Sequence, residues 1–293
     1  MSTPLVSVNM CVWRPHEVYF PQAVRSILDQ TFEDFELIIV EDPSEIDGRA
    51  MIADLLGDPR IRYVQNAART GLLSQKNKAL ALSRGQYIAI LDQDDVALPD
   101  RLERQARFLD TEPLIHAVGT WISAIDSAGR HLGVRRYPTD PASVRSALRR
   151  FSPIAHPSVM FRRSTVSSLG GYTWCSADDP HGLVSDYDLW CRMALAGFDM
   201  ANIPEVLLQY RIHSLAQKRA ATKRFLRATL EIKRRYLIRE FGFVDWLRYL
   251  GEHCLLLLPS GLIWATFIFL TYRPTRAKLA RNSKCNNCDG PER

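Results

Sequence analysis

The first 110 residues alternate short β-rich apolar runs with helical segments, and this alternation limits the possible folds more than any other feature of the chain. "LVSVNMCV" (5–12), "FELIIVED" (35–42), "IRYVQN" (61–66) and "QYIAILD" (86–92) read as strands. "QAVRSILDQ" (22–30), "RAMIADLLG" (49–57), "LLSQKNKALALSRG" (72–85) and "LPDRLERQARFLD" (98–110) carry helical spacing. Gly57 and Gly85 stop two of these helices, and Pro99 lies near the first turn of the last. The pattern predicts an α/β fold, a mostly parallel, Rossmann-like sheet covered by helices. Sheets of that kind bind ligands beyond the carboxyl ends of their strands.

Acidic and amide groups collect at those ends: Glu41, Asp42, Asn66, and then Asp92, Gln93, Asp94 and Asp95. Neighbouring carboxylates repel and are costly to keep ionised together unless a cation neutralises them. An exposed acidic turn that leads into a helix has the same composition. Its place after a buried strand, at the ligand edge of the sheet, favours a cation site. Hard oxygen ligands suit Mn2+ or Mg2+, the ions that accompany diphosphates.

Beyond residue 110 the pattern is mixed. "LIHAVGTWISAID" (114–126), "HPSVMFRRS" (156–164) and "EVLLQYRIH" (205–213) read as strands, and "SDYDLWCRMALAG" (185–197) as an amphipathic helix. The chain is 46% hydrophobic and 24% charged, an ordinary balance for a globular protein with a sizeable core. Six scattered cysteines suit free thiols in a reducing compartment, and the isolated "CNNC" (285–288) lacks the second ligand pair a zinc site needs. No basic stretch precedes an apolar run at the start, so no secretory signal is predicted.

The net charge of +6 is unevenly spread. Residues 1–110 hold 12 Lys+Arg and 17 Asp+Glu, residues 111–216 hold 10 and 9, and residues 217–293 hold 16 and 6. A basic tail beside an apolar segment points to an anionic membrane surface and away from nucleic acid. The segment 217–240 reads as a basic amphipathic helix, and 254–272 is a 19-residue run without a charge, broken by Pro259-Ser260-Gly261. A run of that length just suffices to span a bilayer. A single span would export the basic residues that follow, so a bent, re-entrant or interfacial element is expected.

Six stretches in register resemble the family 2 glycosyltransferases: "LVSVNMCVWR", "FELIIVED", "TGLLSQKNKALALSRGQYIAILDQDD", "HPSVMFRR", "SDYDLWCRMALAG" and "YRIH", together covering roughly residues 4 to 216. The resemblance implies a GT-A fold and an inverting transfer of sugar from a nucleoside-diphosphate donor, a UDP- or dTDP-sugar. Residues 1–110 would form the nucleotide-sugar-binding half, 111–216 the acceptor-binding half, and 217–293 a helical membrane-associating tail. Asp92-Gln93-Asp94 looks like the DxD motif, with Asp94 and Asp92 as metal ligands and Asp95 as a further ligand or helix cap. His213 would join them at the metal or the diphosphate.

By the same resemblance Asp42 contacts the nucleobase, Glu41 supports the ribose, and Lys76, Asn77, Gln93 and Arg211 line the donor. A carboxylate is a sensible acceptor for the N3–H of uracil or thymine. Lys76 and Ser185 depart from the family pattern, which has arginine and glutamate there. Asp186 would be the general base and His156 an acceptor-side residue. Asp188 and Trp190 read as structural. "ADDPHG" (177–182) reads as an acceptor-site lid.

Two other readings compete. A sugar nucleotidyltransferase shares the sheet and the metal, but it opens on a glycine-rich phosphate loop that "NMCVWRPHEVYF" lacks. A non-catalytic nucleotide-sugar-binding membrane partner draws support from Lys76 and Ser185 alone. The expected acceptor is a lipid-linked or cell-envelope glycan, met at the cytoplasmic face of a bacterial inner membrane.

Overall fold

A computed structural model describes residues 3–173, 179, 182–212 and 215–263, without side-chain detail for 215–221. The elements predicted for the first half are present, except that the helix expected over 49–57 is a single turn that ends at Met51 and gives way to turns before Gly57. They are β1 (Val6–Val12), α1 (Tyr19–Leu28), β2 (Phe35–Glu41), α2 (Gly48–Met51), β3 (Ile61–Gln65), α3 (Leu72–Leu82), β4 (Tyr87–Ile90), a short β5 (Val96–Ala97) and α4 (Arg101–Thr111). The second half adds β6 (Ile115–Ile125), β7 (His131–Arg135), α5 (Pro141–Leu148), β8 (Met160–Arg162), α6 (Arg163–Ser168), α7 (Ser185–Leu195), β9 (Asp199–Arg211), α8 (Leu215–Tyr236) and α9 (Phe243–Leu255).

One sheet runs β3-β2-β1-β4-β8-β6-β9-β5, with β7 paired to β6. The expected mostly parallel sheet is a mixed one. β3, β2, β1 and β4 are parallel, as helical crossovers require. β8 then pairs antiparallel with both β4 and β6, and β5 antiparallel with β9, while β6 and β9 are parallel. The stretch 156–164 is not one strand. Pro157 lies in a 3-10 turn (His156–Ser158), which leaves only three strand residues before α6.

The central strands are buried on both faces, which explains their unbroken apolar character. Their alternation divides the core in two. Val6, Val8, Met10 and Val12, with Tyr87, Ala89 and Leu91, meet α1 and α4 on one side. Ile88 and Ile90 meet β8 and α7 on the other, where Trp190 is fully buried. Helix α1 inserts Phe20, Ala23, Val24 and Ile27 into the first core, and each larger side chain contributes roughly 1.5–3 kcal/mol.

The predicted basic amphipathic helix is largely α8. Much of its apolar face packs on the protein, since Ala228 and Ile232, with Leu237 just past its end, join the second core. Among the described residues no helix is long and apolar enough to cross a membrane. Residues 264–272 of the uncharged run, and Cys285 and Cys288, lie outside the described residues.

Candidate functional site

The carboxyl ends of β1, β2 and β4 deliver Trp13, Asp42 and Asp92 to one edge of the sheet. Behind them a small recess is lined by Asn9, Cys11, Leu72, Lys76, Asp92, His156 and Tyr172. Burial pushes the Cys11 thiol up to about 12, so it stays neutral. His156 pairs through Nε2 with the Tyr172 hydroxyl at 2.9 Å. Burial, aided by the nearby Lys76, holds its imidazole well below the ordinary range and thus uncharged. Four residues far apart in sequence, Cys11, Lys76, Asp92 and His156, therefore line one concavity, in which the thiol and the imidazole are neutral.

Lys76 is buried in α3, and its ammonium donates to Ser185 Oγ at 3.0 Å and lies 5.0 Å from the Tyr172 ring centroid. The two departures from the family pattern thus touch each other. Arginine and glutamate would pair as ions across this gap, whereas lysine and serine make one hydrogen bond and leave the positive charge for other groups. Ser185 opens α7 and is followed by Asp186. Burial raises the Asp186 carboxyl above its usual range, while Lys76 and the N–H groups of the first helical turn hold it down, and Asp179 raises it.

Asp92, Asp94 and Asp95 present oxygens that all lie within 4.8 Å of one another. Asp92 and Asp94 are half-buried, and Asp95 is fully buried. Three hard oxygen donors at this separation fit an octahedral divalent cation such as Mn2+ or Mg2+. Asp95 is partly committed, since its Oδ1 accepts the Arg211 N–H at 2.8 Å. His213, the fourth predicted ligand, lies outside the described residues, as does most of the predicted lid, of which Asp179 and Gly182 are described.

Four other predicted donor-binding residues prove to be braces. Glu41 is fully buried, and its oxygens accept from Gly48 N, Tyr63 OH and Gln65 Nε2. Asn77 clamps the backbone of Tyr172 from both sides, donating to its carbonyl at 2.7 Å and accepting its N–H at 2.9 Å. Gln93 does the same for Trp13, at 3.0 and 3.1 Å. Arg211 is buried and donates to the Asp94 and Asp126 carbonyls and to Gln22 Oε1, with Tyr19 packed against its guanidinium. Each of these sits at the expected end of a strand or on the expected helix. Each turns its polar atoms into the scaffold instead of the cleft.

Asp42 is intermediate. It ends β2 beside Trp13 as expected, but Asn66 Nδ2, Thr70 Oγ1 and the N–H groups of Thr70 and Gly71 occupy its oxygens at 2.7–2.9 Å. Burial would raise its carboxyl, and these four donors more than offset that and lower it. Accepting from a nucleobase would require one donor to leave. Trp13 was not singled out by sequence reasoning, although an aromatic residue directly after a strand and beside Asp42 was a usable signal. Its ring lies 3.9 Å from the Arg69 guanidinium and 4.8 Å from that of Arg14. Tyr172, which ties His156 to Asn77, was missed because nothing in its local sequence marks it.

The brace assignment of Arg211 is testable. Arg211→Leu should cost on the order of 3 kcal/mol in urea unfolding, because several buried acceptors lose their donor together. A variant of unchanged stability and weakened nucleotide affinity would return Arg211 to the phosphates.

Residues 7–168 match the family model described as glycosyl transferase family 2. The O-antigen biosynthesis glycosyltransferase WbnJ of Escherichia coli is 31% identical over 240 residues, 81% of this chain and 89% of WbnJ. A second Escherichia coli relative, the UDP-Glc:alpha-D-GlcNAc-diphosphoundecaprenol beta-1,3-glucosyltransferase WfaP, is 27% identical over 210 residues, 72% of this chain and 78% of WfaP. Among solved structures, the mannosyltransferase PcManGT from Pyrobaculum calidifontis, in complex with GDP-Man and Mn2+, superposes with a TM-score of 0.60 at 16% identity, covering 96% of this chain and 80% of its own. That likeness is one of fold.

Proposed function

The chain belongs to glycosyl transferase family 2 and is a glycosyltransferase; from that premise we propose that it moves a sugar, with inversion, from a UDP- or dTDP-sugar to a hydroxyl of a lipid-linked or cell-envelope glycan. The observation that carries the reading is the convergence of Asp92, Lys76 and His156 on one recess, with Asp186 next to the residue that Lys76 touches. The acceptor class is supported by WfaP, whose name specifies a diphosphoundecaprenol-linked substrate, and by the O-antigen role of WbnJ.

In this reading residues 1–110 hold the donor and 111–216 the acceptor. Trp13 offers its face to the nucleobase, and Asp42 fixes the loop from Asn66 to Gly71 beside it. Asp92 and Asp94 would hold the divalent ion. The chemistry a bound Mn2+ or Mg2+ supplies there is neutralisation of charge on the departing diphosphate. Lys76 places a second positive charge at the same recess. Asp186 takes the acceptor proton as the hydroxyl oxygen bonds to the anomeric carbon and the bond from that carbon to the diphosphate oxygen breaks. A single displacement of this kind inverts the anomeric configuration. The raised carboxyl of Asp186 suits a base working near neutral pH. The need for a nucleotide-sugar donor and the basic C-terminal segment support a working position at the cytoplasmic face of a bacterial inner membrane.

Calorimetry against a panel of nucleotide-sugars with Mn2+ tests the donor assignment. A UDP- or dTDP-sugar should bind and its GDP counterpart should bind at least tenfold more weakly. Failure of every nucleoside-diphosphate sugar to bind would overturn the reading.

A further inference from the structure

Helix α9 turns its acids and Tyr249 toward the protein: Asp245 pairs with Arg149 at 3.1 Å, Glu252 with buried Lys233 at 2.6 Å, and Tyr249 packs among Phe241, Trp246 and His253. The opposite face carries Phe243, Leu247 and Leu250 at i, i+4 and i+7, with Val244 at its edge. These are 79, 55, 55 and 74% exposed, and Leu257 beyond the helix end is 85% exposed. A surface helix ordinarily turns its apolar stripe inward and its charges outward. A contiguous exposed stripe of large apolar residues marks a surface that something else covers.

Charge identifies the cover. Residues 217–293 hold 16 Lys+Arg against 6 Asp+Glu, and Arg224, Arg227, Arg234, Arg235 and Arg239, preceding α9, are exposed. A second copy of the chain would bring the same positive field against itself and be repelled. An anionic lipid surface answers both properties at once, since acyl chains accept the leucines and headgroups accept the arginines. The 13 residues of α9 span only about 20 Å, too short to cross a bilayer. We infer that α9 is a docking element lying in the plane of an anionic membrane, with Phe243, Val244, Leu247 and Leu250 sunk among the acyl chains. The inference rests on the reading that the enzyme works at a membrane face, and it names the element that makes the contact.

The test is flotation of the full chain with vesicles of equimolar phosphatidylglycerol and phosphatidylcholine, against phosphatidylcholine alone. The chain should float with the anionic vesicles and remain partly bound in high salt. The double variant Leu247→Glu, Leu250→Glu should lose at least tenfold in bound fraction. Leu114→Glu, at a 76% exposed leucine in the turn before β6, should lose nothing. A wild-type chain that stays soluble, or a double variant that floats like wild type, would overturn the docking element. So would light scattering that shows a wild-type dimer converted to monomer by the double variant, because a second copy would then be the cover. Hydrolysis of nucleotide-sugar should be the same in the double variant and wild type, which shows the catalytic part intact. Stripe-dependent flotation in a chain that turns over no nucleotide-sugar would support docking and count against the proposed function alone.

Discussion

Asp186→Asn is expected to lower kcat for glycosyl transfer roughly 10²–10⁴-fold while leaving donor affinity nearly unchanged, the signature of a lost general base. Asparagine keeps the shape and the contact with the first turn of α7, so the loss is chemical and not one of folding. The pH profile makes the claim sharper. Burial raises the Asp186 carboxyl, Asp179 pushes it the same way, and Lys76 with the helix N–H groups pulls it down. A base must be ionised to act, so activity falls as pH drops through its pKa. Removing the cation in Lys76→Met therefore moves the acid limb of kcat to higher pH. Lys76→Arg, which keeps the charge, should leave the limb near its wild-type position. Ser185→Glu should move it upward too, because a carboxylate in place of the hydroxyl that now accepts from Lys76 at 3.0 Å would claim the ammonium for itself. A limb that stays put in Lys76→Met would remove Lys76 from the control of Asp186. An Asp186→Asn enzyme of near-normal kcat would remove Asp186 from the chemistry.

The Lys76–Ser185 contact also shows where reading the chain as a string runs out. Both residues stood out as departures from a pattern, but they lie 109 positions apart, and no local period links them. The central strands and helices α1 and α4 were legible because both faces of each central strand are buried and each of these helices shows one apolar face, so composition and period agree. Strand direction was not. A three-residue β8 between a proline-containing turn and a helix carries no signal that it runs antiparallel to β4. At the site, the positions of Glu41, Asn77, Gln93 and Arg211 were legible, and the aim of their side chains was not. An acid or amide at a strand end can face a ligand or tie down its own loop. The difference depends on partners such as Tyr63, Tyr172, Trp13 and Gln22, which come from distant parts of the chain. The amphipathicity of 217–240 was likewise plain, but which surface consumes it depends on α7 packing against it.

Removing the divalent ion should have the second large effect. With excess chelator, transfer should stop, and Mn2+ should restore it. Asp94→Ala should weaken Mn2+ binding, read by calorimetry without donor, by roughly a hundredfold or more, about 2.7 kcal/mol. The neighbouring acid provides the contrast. Asp95 is fully buried and ties the loop to β9 through the Arg211 N–H. Asp95→Asn should therefore cost stability, by about 1–3 kcal/mol, more than it costs affinity for the ion. The two carboxylates are adjacent in sequence and their oxygens lie within 4.8 Å, so a general effect of lost negative charge would weaken Mn2+ equally in both variants. Unequal losses in affinity and stability, in opposite order for the two residues, are what a ligand beside a brace must give. Equal losses would mean that the cluster attracts the ion by charge alone and that no single carboxylate positions it.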